Sequence, residues 1–304
     1  MIRNLFFAVM LFLPFIIQAQ HLPLYSQYML NPLVLNPAYT GARQGLTTVI
    51  QYRKQWVGFD PDEDISPKTL SFSIDTPLRN KRFAIGTIGV IDHYAVTKQI
   101  DQLALISYRI KLGKLTTMAV GFQAGYLFSR TDYSSLNVDD DVAFGYGYSS
   151  YLTPKIGAGA ILHVSNLFIG LSMPQIFIYK QKNALGKSNS IYGTLIYIHT
   201  GYKLQISNNL HLRPNILMKL FDYNLGASID VNTMIDWKQN LSLGISYRSK
   251  NAMVVLAELK LNQLSIGYAY DYSLNQIRGS GSHEILLKYI FRYGIKATDI
   301  KTFR

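Results

Sequence analysis

The side chains best suited to chemistry are few and scattered along this chain. Histidine occurs six times, at His21, His93, His163, His199, His211 and His283. No two stand four apart, the spacing that sets two imidazoles on one helical face for a metal ion. Asp139, Asp140 and Asp141 offer the oxygen ligands calcium takes, but the spacing of a calcium loop is missing, so a solvated loop tip is expected. His283 and Glu284 are adjacent, and in a strand adjacent residues point to opposite faces, which argues against a shared metal or catalytic site. The same period puts Glu284 in line with Lys288, and a structural ion pair inside the fold is the expectation for these two. Gly86-Thr87-Ile88-Gly89 reads as glycine within a strand. No nucleophile elbow, phosphate loop or dinucleotide fingerprint occurs. Cysteine is absent, so neither disulfides nor thiolate metal sites hold the fold. A protein without enzymatic activity, cofactor or metal is expected.

The elements that carry these residues read as strands. From Leu46 onward apolar and small or polar residues alternate with period two. Leu264, Ile266, Tyr268, Tyr270 and Tyr272 share one face, and Ser265, Gly267, Ala269, Asp271 and Ser273 share the other. Met253, Val255, Ala257, Leu259 and Leu261 oppose Glu258 and Lys260 in the same way. Met118, Val120, Phe122, Ala124 and Tyr126 oppose Thr117, Ala119, Gly121, Gln123 and Gly125, and Gly157 and Gly159 repeat the glycine on the polar side. Glycine there would leave voids in a packed core, but it is tolerable facing a lumen or a plug.

Counting such segments gives about fourteen strands of the ~10-residue length expected of tilted membrane strands. They fall near 47–55, 68–75, 83–92, 99–112, 116–128, 153–164, 166–177, 190–206, 210–221, 223–236, 241–250, 252–262, 264–274 and 283–293. The longer connections, 56–67, 129–152, 178–189 and 275–282, alternate with tight ones at 113–115, 165, 207–209, 236–240 and 262–263. Outer-membrane barrels place short turns in the periplasm and long loops outside. A soluble β-sandwich also alternates, but strand length, even strand number and loop asymmetry favour an all-β fold of another kind. That fold is a transmembrane antiparallel β-barrel of about 14 strands with an irregular, plug-like N-terminal segment.

Ahead of the strands, Arg3, an apolar run from Leu5 to Ile17 and the small Ala19 read as a cleavable signal peptide. The run is shorter than the roughly 20 residues of a spanning helix. The expected organisation is a signal peptide at 1–19, an irregular periplasmic or plug segment at 20–45, the barrel at 46–293 and a short periplasmic tail at 294–304. The formal charge of +12 comes from singly scattered Lys and Arg, which does not suit nucleic acid. Outer-membrane lipid or lipopolysaccharide is the fitting counter-charge. The 22 tyrosines against 2 tryptophans suit membrane interfaces, although soluble sheets use them too.

The stretch Tyr25-Ser26-Gln27-Tyr28-Met29-Leu30-Asn31-Pro32, followed by Leu35-Asn36-Pro37-Ala38-Tyr39-Thr40-Gly41, resembles the opening signature of the PorP/SprF family of Bacteroidetes outer-membrane proteins. Asp141-Val142-Ala143-Phe144-Gly145, Gly170-Leu171-Ser172-Met173-Pro174, Gly267-Tyr268-Ala269-Tyr270-Asp271-Tyr272 and Gly279-Ser280-Gly281-Ser282-His283-Glu284-Ile285 agree with it in order. Val142 stands where that family usually has proline. The resemblance implies a barrel serving type IX secretion and gliding motility. One branch of the family associates with periplasmic, lipoprotein and peptidoglycan-linked components. The other supports secretion or surface attachment of an adhesin through that cargo's C-terminal domain.

Each Asn-Pro step forces extended backbone at the asparagine and fixes φ at the proline. Tyr25, Gln27, Tyr28, Asn31, Pro32, Asn36, Pro37 and Tyr39 are therefore candidates for a rigid loop that contacts a partner. Filling the barrel mouth with no partner touching them is an equally good reading. An alternative function, a passive porin or uptake channel, rests on the glycine-rich and basic lumen positions.

Overall fold

The alternation folds into a wall. The computed structural model describes residues 24–43, 45–58, 66–79, 81–133, 147–175, 180–182, 188–190, 195–221, 227–238, 240–249, 251–274 and 281–292. The expected signal peptide, the acidic run Asp139–Asp141, the stretch Asp141–Gly145 and the tail at 294–304 lie outside the described residues. The strands are β1 (Leu46–Val57), β2 (Lys68–Pro77), β3 (Phe83–Tyr94), β4 (Thr97–Lys111), β5 (Thr116–Asp132), β6 (Tyr148–Val164), β7 (Leu167–Gln175), β8 (Lys180–Lys182) and β9 (Ser188–Ser190). Then follow β10 (Leu195–Tyr202), β11 (Leu204–Ser207), β12 (Leu210–Phe221), β13 (Ala227–Trp237), β14 (Leu241–Arg248), β15 (Ala252–Leu261), β16 (Leu264–Ser273) and β17 (Gly281–Phe291).

Antiparallel pairing runs from each wall strand to the next, and β1 pairs with β17 from Leu46↔Phe291 to Val57↔Gly281. β10 pairs with both β7 and β12, and this closes the ring. β11 continues β10 past Lys203 along the end of β12, so the wall is a closed 14-stranded antiparallel barrel. Among the described residues every wall strand thus has a hydrogen-bonded neighbour on both sides, and hydrocarbon would not tolerate an open sheet.

Burial alternates with the sequence. In β16, Ser265, Gly267, Ala269, Asp271 and Ser273 are buried, while Ile266, Tyr268 and Tyr272 are exposed. Ile50, Phe72, Ile85, Leu243, Ile245 and Met253 are also exposed and apolar, a band that fits lipid and would be a liability in water. Exposed aromatic residues mark both rims, with Tyr202, Trp237 and Phe291 at one end and Tyr247 and Tyr272 at the other. No helix among the described residues is long and apolar enough to cross a membrane.

Tight turns between β2 and β3, β4 and β5, β6 and β7, β11 and β12, β13 and β14, and β15 and β16 share one end; the other end carries the longer connections together with two tight turns, at 95–96 and between β14 and β15. Ser165 and Asn262 adopt left-handed backbone, φ 54° and 53°, as abrupt hairpin turns require. Some boundaries depart from expectation. β5 and β6 extend to the pair Asp132↔Tyr148, with Arg130 4.4 Å over the Tyr148 ring. Beyond the lipid both faces are polar, so the alternation that marks a strand fades there. The connection after β7 holds the hairpin β8–β9, too short to carry a period. The stretch expected as one strand at 190–206 is β10 and β11, broken at Lys203. β1 bulges between Lys54 and Val57, where Trp56 has φ 52°.

Candidate functional site: the lumen and the segment that fills it

Residues 24–43 lie inside the ring of strands. Two short 3-10 turns, Pro32–Val34 and Pro37–Tyr39, each begin at an Asn-Pro step. Asn36 is extended (φ −150°) and its side chain accepts from the Ala38 amide at 2.9 Å, capping the second turn. Proline suits the first position of a turn because its missing N–H would be unpaired there anyway.

One end of the segment docks on charge. Glu284 accepts from the amides of Ser26 and Gln27, each at 2.8 Å, and from Gln51 Nε2 at 2.7 Å. Gln27 Nε2 donates to the Glu284 carbonyl at 3.0 Å. Arg53 bridges Glu284 at 3.1 Å and Asp271 at 2.8 Å. The Ser26 hydroxyl donates to Asp271 at 2.7 Å and accepts from Arg53 at 2.8 Å and Arg248 at 3.3 Å. Arg248 and Lys219 both reach Asp230 at 3.1 Å. Three cations thus face three carboxylates, all buried, and such groups persist in a dry interior only when paired and hydrogen-bonded.

A second network joins Lys288 to Glu258 at 2.9 Å, Arg213 to Asp236 at 2.7 Å and Lys260 to both acids at 3.4 Å.

The other end docks on shape. Asn36 Nδ2 donates to the carbonyls of Ala160 and Leu171 at 3.1 and 3.2 Å, and Ser172 Oγ donates to the Leu35 carbonyl at 2.7 Å. A Cβ at Gly121 would collide with the backbone of Pro37 and Ala38, and one at Gly159 with the Asn36 side chain. Only glycine lets the wall approach this closely. Arg109 donates to the Gly41 carbonyl at 2.9 Å, and Asp75 accepts from the Gly41 amide at 2.7 Å. Between the two ends, Leu33, Ala38 and Tyr39 pack on Ile88, Leu103, Leu105, Ile161 and Phe168. Leu30 packs on Val49, Met234 and Leu286. His199 meets Tyr28 edge-on at 5.5 Å and Phe168 at 4.7 Å.

The arrangement is a polypeptide held against a barrel wall by a charge network, backbone contacts and apolar patches. The sequence matches the type IX secretion system membrane protein PorP/SprF over residues 17–289. The chain belongs to the PorP/SprF family. It is an outer-membrane β-barrel of the type IX secretion system. Solved structures of similar fold include a FadL homologue of Pseudomonas aeruginosa, 11% identical with a TM-score of 0.50 over 84% of this chain and 93% of that one. The Acinetobacter baumannii outer membrane protein Omp33 is 9% identical, with a TM-score of 0.47 over 82% of this chain and 99% of that one. No curated protein matches the sequence.

In this PorP/SprF barrel the motif residues are not presented outward. Tyr25, Gln27, Tyr28, Asn31, Asn36, Pro37 and Tyr39 are buried against the wall, and Pro32 is half-buried. These side chains contact the wall of the barrel. Glu284 and Lys288 share the inward face, but they do not pair with each other: Glu284 meets Arg53, and Lys288 meets Glu258. Four residues along a strand, roughly 13 Å at ~3.3 Å per residue, place them too far apart for a bond when closer partners stand on neighbouring strands.

Sequence reasoning left Arg53, Asp230, Arg248 and Asp271 out of the candidate site. Their signal was available, since each is a charge at a small-or-polar position of an alternating strand. The inward apolar residues Val254, Leu256 and Ile161 carried no such signal, because they interrupt the alternation.

Proposed function

We propose that this barrel is a closed, non-enzymatic anchor. It fixes periplasmic or lipoprotein components of the type IX machinery to the outer membrane, or supports secretion and surface attachment of an adhesin through that cargo's C-terminal domain. The observation that carries this reading is the seated segment. A passive channel needs a free lumen, whereas here lumen charges are paired with one another and with Ser26 and Gln27.

By the loop rule the tight-turn end faces the periplasm. Its rim bears Arg79, Arg82, Lys111, Lys114 and Lys238 beside exposed Leu78, Leu112 and Leu115, and no Asp or Glu stands on its described turn residues. A basic rim with apolar residues suits an acidic protein partner. The segment's part is to brace the wall behind that rim.

The test is purification of the tagged full chain from cross-linked native membranes. A type IX component or an adhesin C-terminal domain should co-purify, and K111E/K114E should reduce its recovery. A barrel recovered alone would overturn the reading.

A further inference from the structure

The segment does not fill the lumen to its tight-turn mouth. A cavity of about 350 Å³ remains there, bounded by Leu33 and Tyr39 of the segment, Phe168 of β7 and Leu115 of the β4–β5 turn. That volume falls in the range of small-molecule sites, about 300–1,000 Å³. Cations dominate the polar lining. Arg43 donates to the Leu30 carbonyl at 2.6 Å, and Arg109 donates to the carbonyls of Gly41 and Thr40 at 2.9 and 3.4 Å. Neither guanidinium has an ion pair among the described residues, although both line the cavity. Arg213 also lines it and is taken by Asp236 at 2.7 Å. Asp75 is the acid in this lining; it acts on Arg43 and Arg109 at longer range, and its Oδ2 is occupied by the Gly41 amide. His199 belongs to the same wall. It is 3% exposed, and its Nε2 has no hydrogen-bond partner.

We propose that this cavity binds a small anionic amphiphile, an alkyl carboxylate whose head lies between Arg43 and Arg109 and whose chain lies along Leu33, Tyr39 and Phe168. A carboxylate supplies an anionic acceptor to two guanidinium groups that donate to neutral backbone carbonyls. An apolar body suits the remaining walls, which water would solvate poorly. Lys114 at the mouth adds a further positive charge to the entrance. The inference does not depend on the secretion role, because it rests on this cavity alone.

Calorimetric titration of the mature full chain in lipid nanodiscs with sodium octanoate tests it, with empty nanodiscs as the blank and octanol as the neutral analogue. Saturable octanoate binding is expected, with octanol weaker by about tenfold or more, the worth of a charge-assisted bond. R43M should weaken octanoate by a similar factor. Leu115 is 57% exposed, so L115E and L115K should both fold, and only L115E should weaken binding. That pair decides the matter if R43M does not give the heat-modifiable gel migration of a folded barrel. Absence of saturable binding, octanol bound as tightly as octanoate, or identical affinities for L115E and L115K would overturn the proposal.

Discussion

The hydroxyl of Ser26 is shared by Arg53, Arg248 and Asp271, so the segment, two lumen cations and one carboxylate meet at one small side chain. Glu284 is the heavier loss. Removing it takes one of the two carboxylates that Arg53 bridges, leaves three buried cations facing two acids, and leaves the Ser26 and Gln27 amides unpaired. Breaking a buried pair from one side costs about 3–5 kcal/mol, so Glu284→Ala should lower the barrel's unfolding free energy in urea by that order. Glu284→Gln, which retains hydrogen-bonding groups, should lose less. Equal stability of Glu284→Ala and wild type would refute the anchoring role. Burial also holds the phenols of Tyr25, Tyr28 and Tyr39 above their ordinary value of 10.0. They stay neutral in the folded barrel while the unfolded chain ionises, so their stabilisation is complete below pH 10 and declines as pH rises past it. Phenolate absorbance during an alkaline titration should show these rings ionising only with unfolding. That Glu284 points inward was legible from the period of two. Its partners were not, because Ser26 lies 258 residues away and pairing across a barrel leaves no local spacing.

Strands were the most legible elements, since lipid outside and a mixed lumen inside impose one period on the whole wall. Legibility failed where that contrast ends: in the extension of β5 and β6 past the membrane, in the hairpin β8–β9 and at the break between β10 and β11. The two 3-10 turns were half legible, with Asn31-Pro32 and Asn36-Pro37 fixing where the chain bends but not what it bends against. The polar-side glycines have a specific use. Gly121 and Gly159 give the segment its closest approach to the wall, so Gly121→Val should displace residues 36–40 while leaving the barrel closed. Limited proteolysis of the folded variant should then cut within the N-terminal segment, which wild type protects. Equal protection would show that the segment tolerates the side chain.

At the scale of the whole molecule, a closed ring of fourteen staves presents apolar residues to lipid and keeps its charges within. Barrel, outer-membrane location and family were all legible in the sequence, because strand period, loop asymmetry and terminal motifs point the same way. The use of those motifs was not, since Tyr25 to Gly41 and the Asp271 and Glu284 that hold it meet only once the ring closes. We propose that this segment, seated on buried charge and glycine, shuts the lumen. Planar-bilayer recording of the purified full chain, beside a variant lacking residues 24–43, tests that most directly. No steady conductance is expected from the full chain, and open, ohmic channels are expected from the deletion. Steady conductance of equal size from both would contradict it.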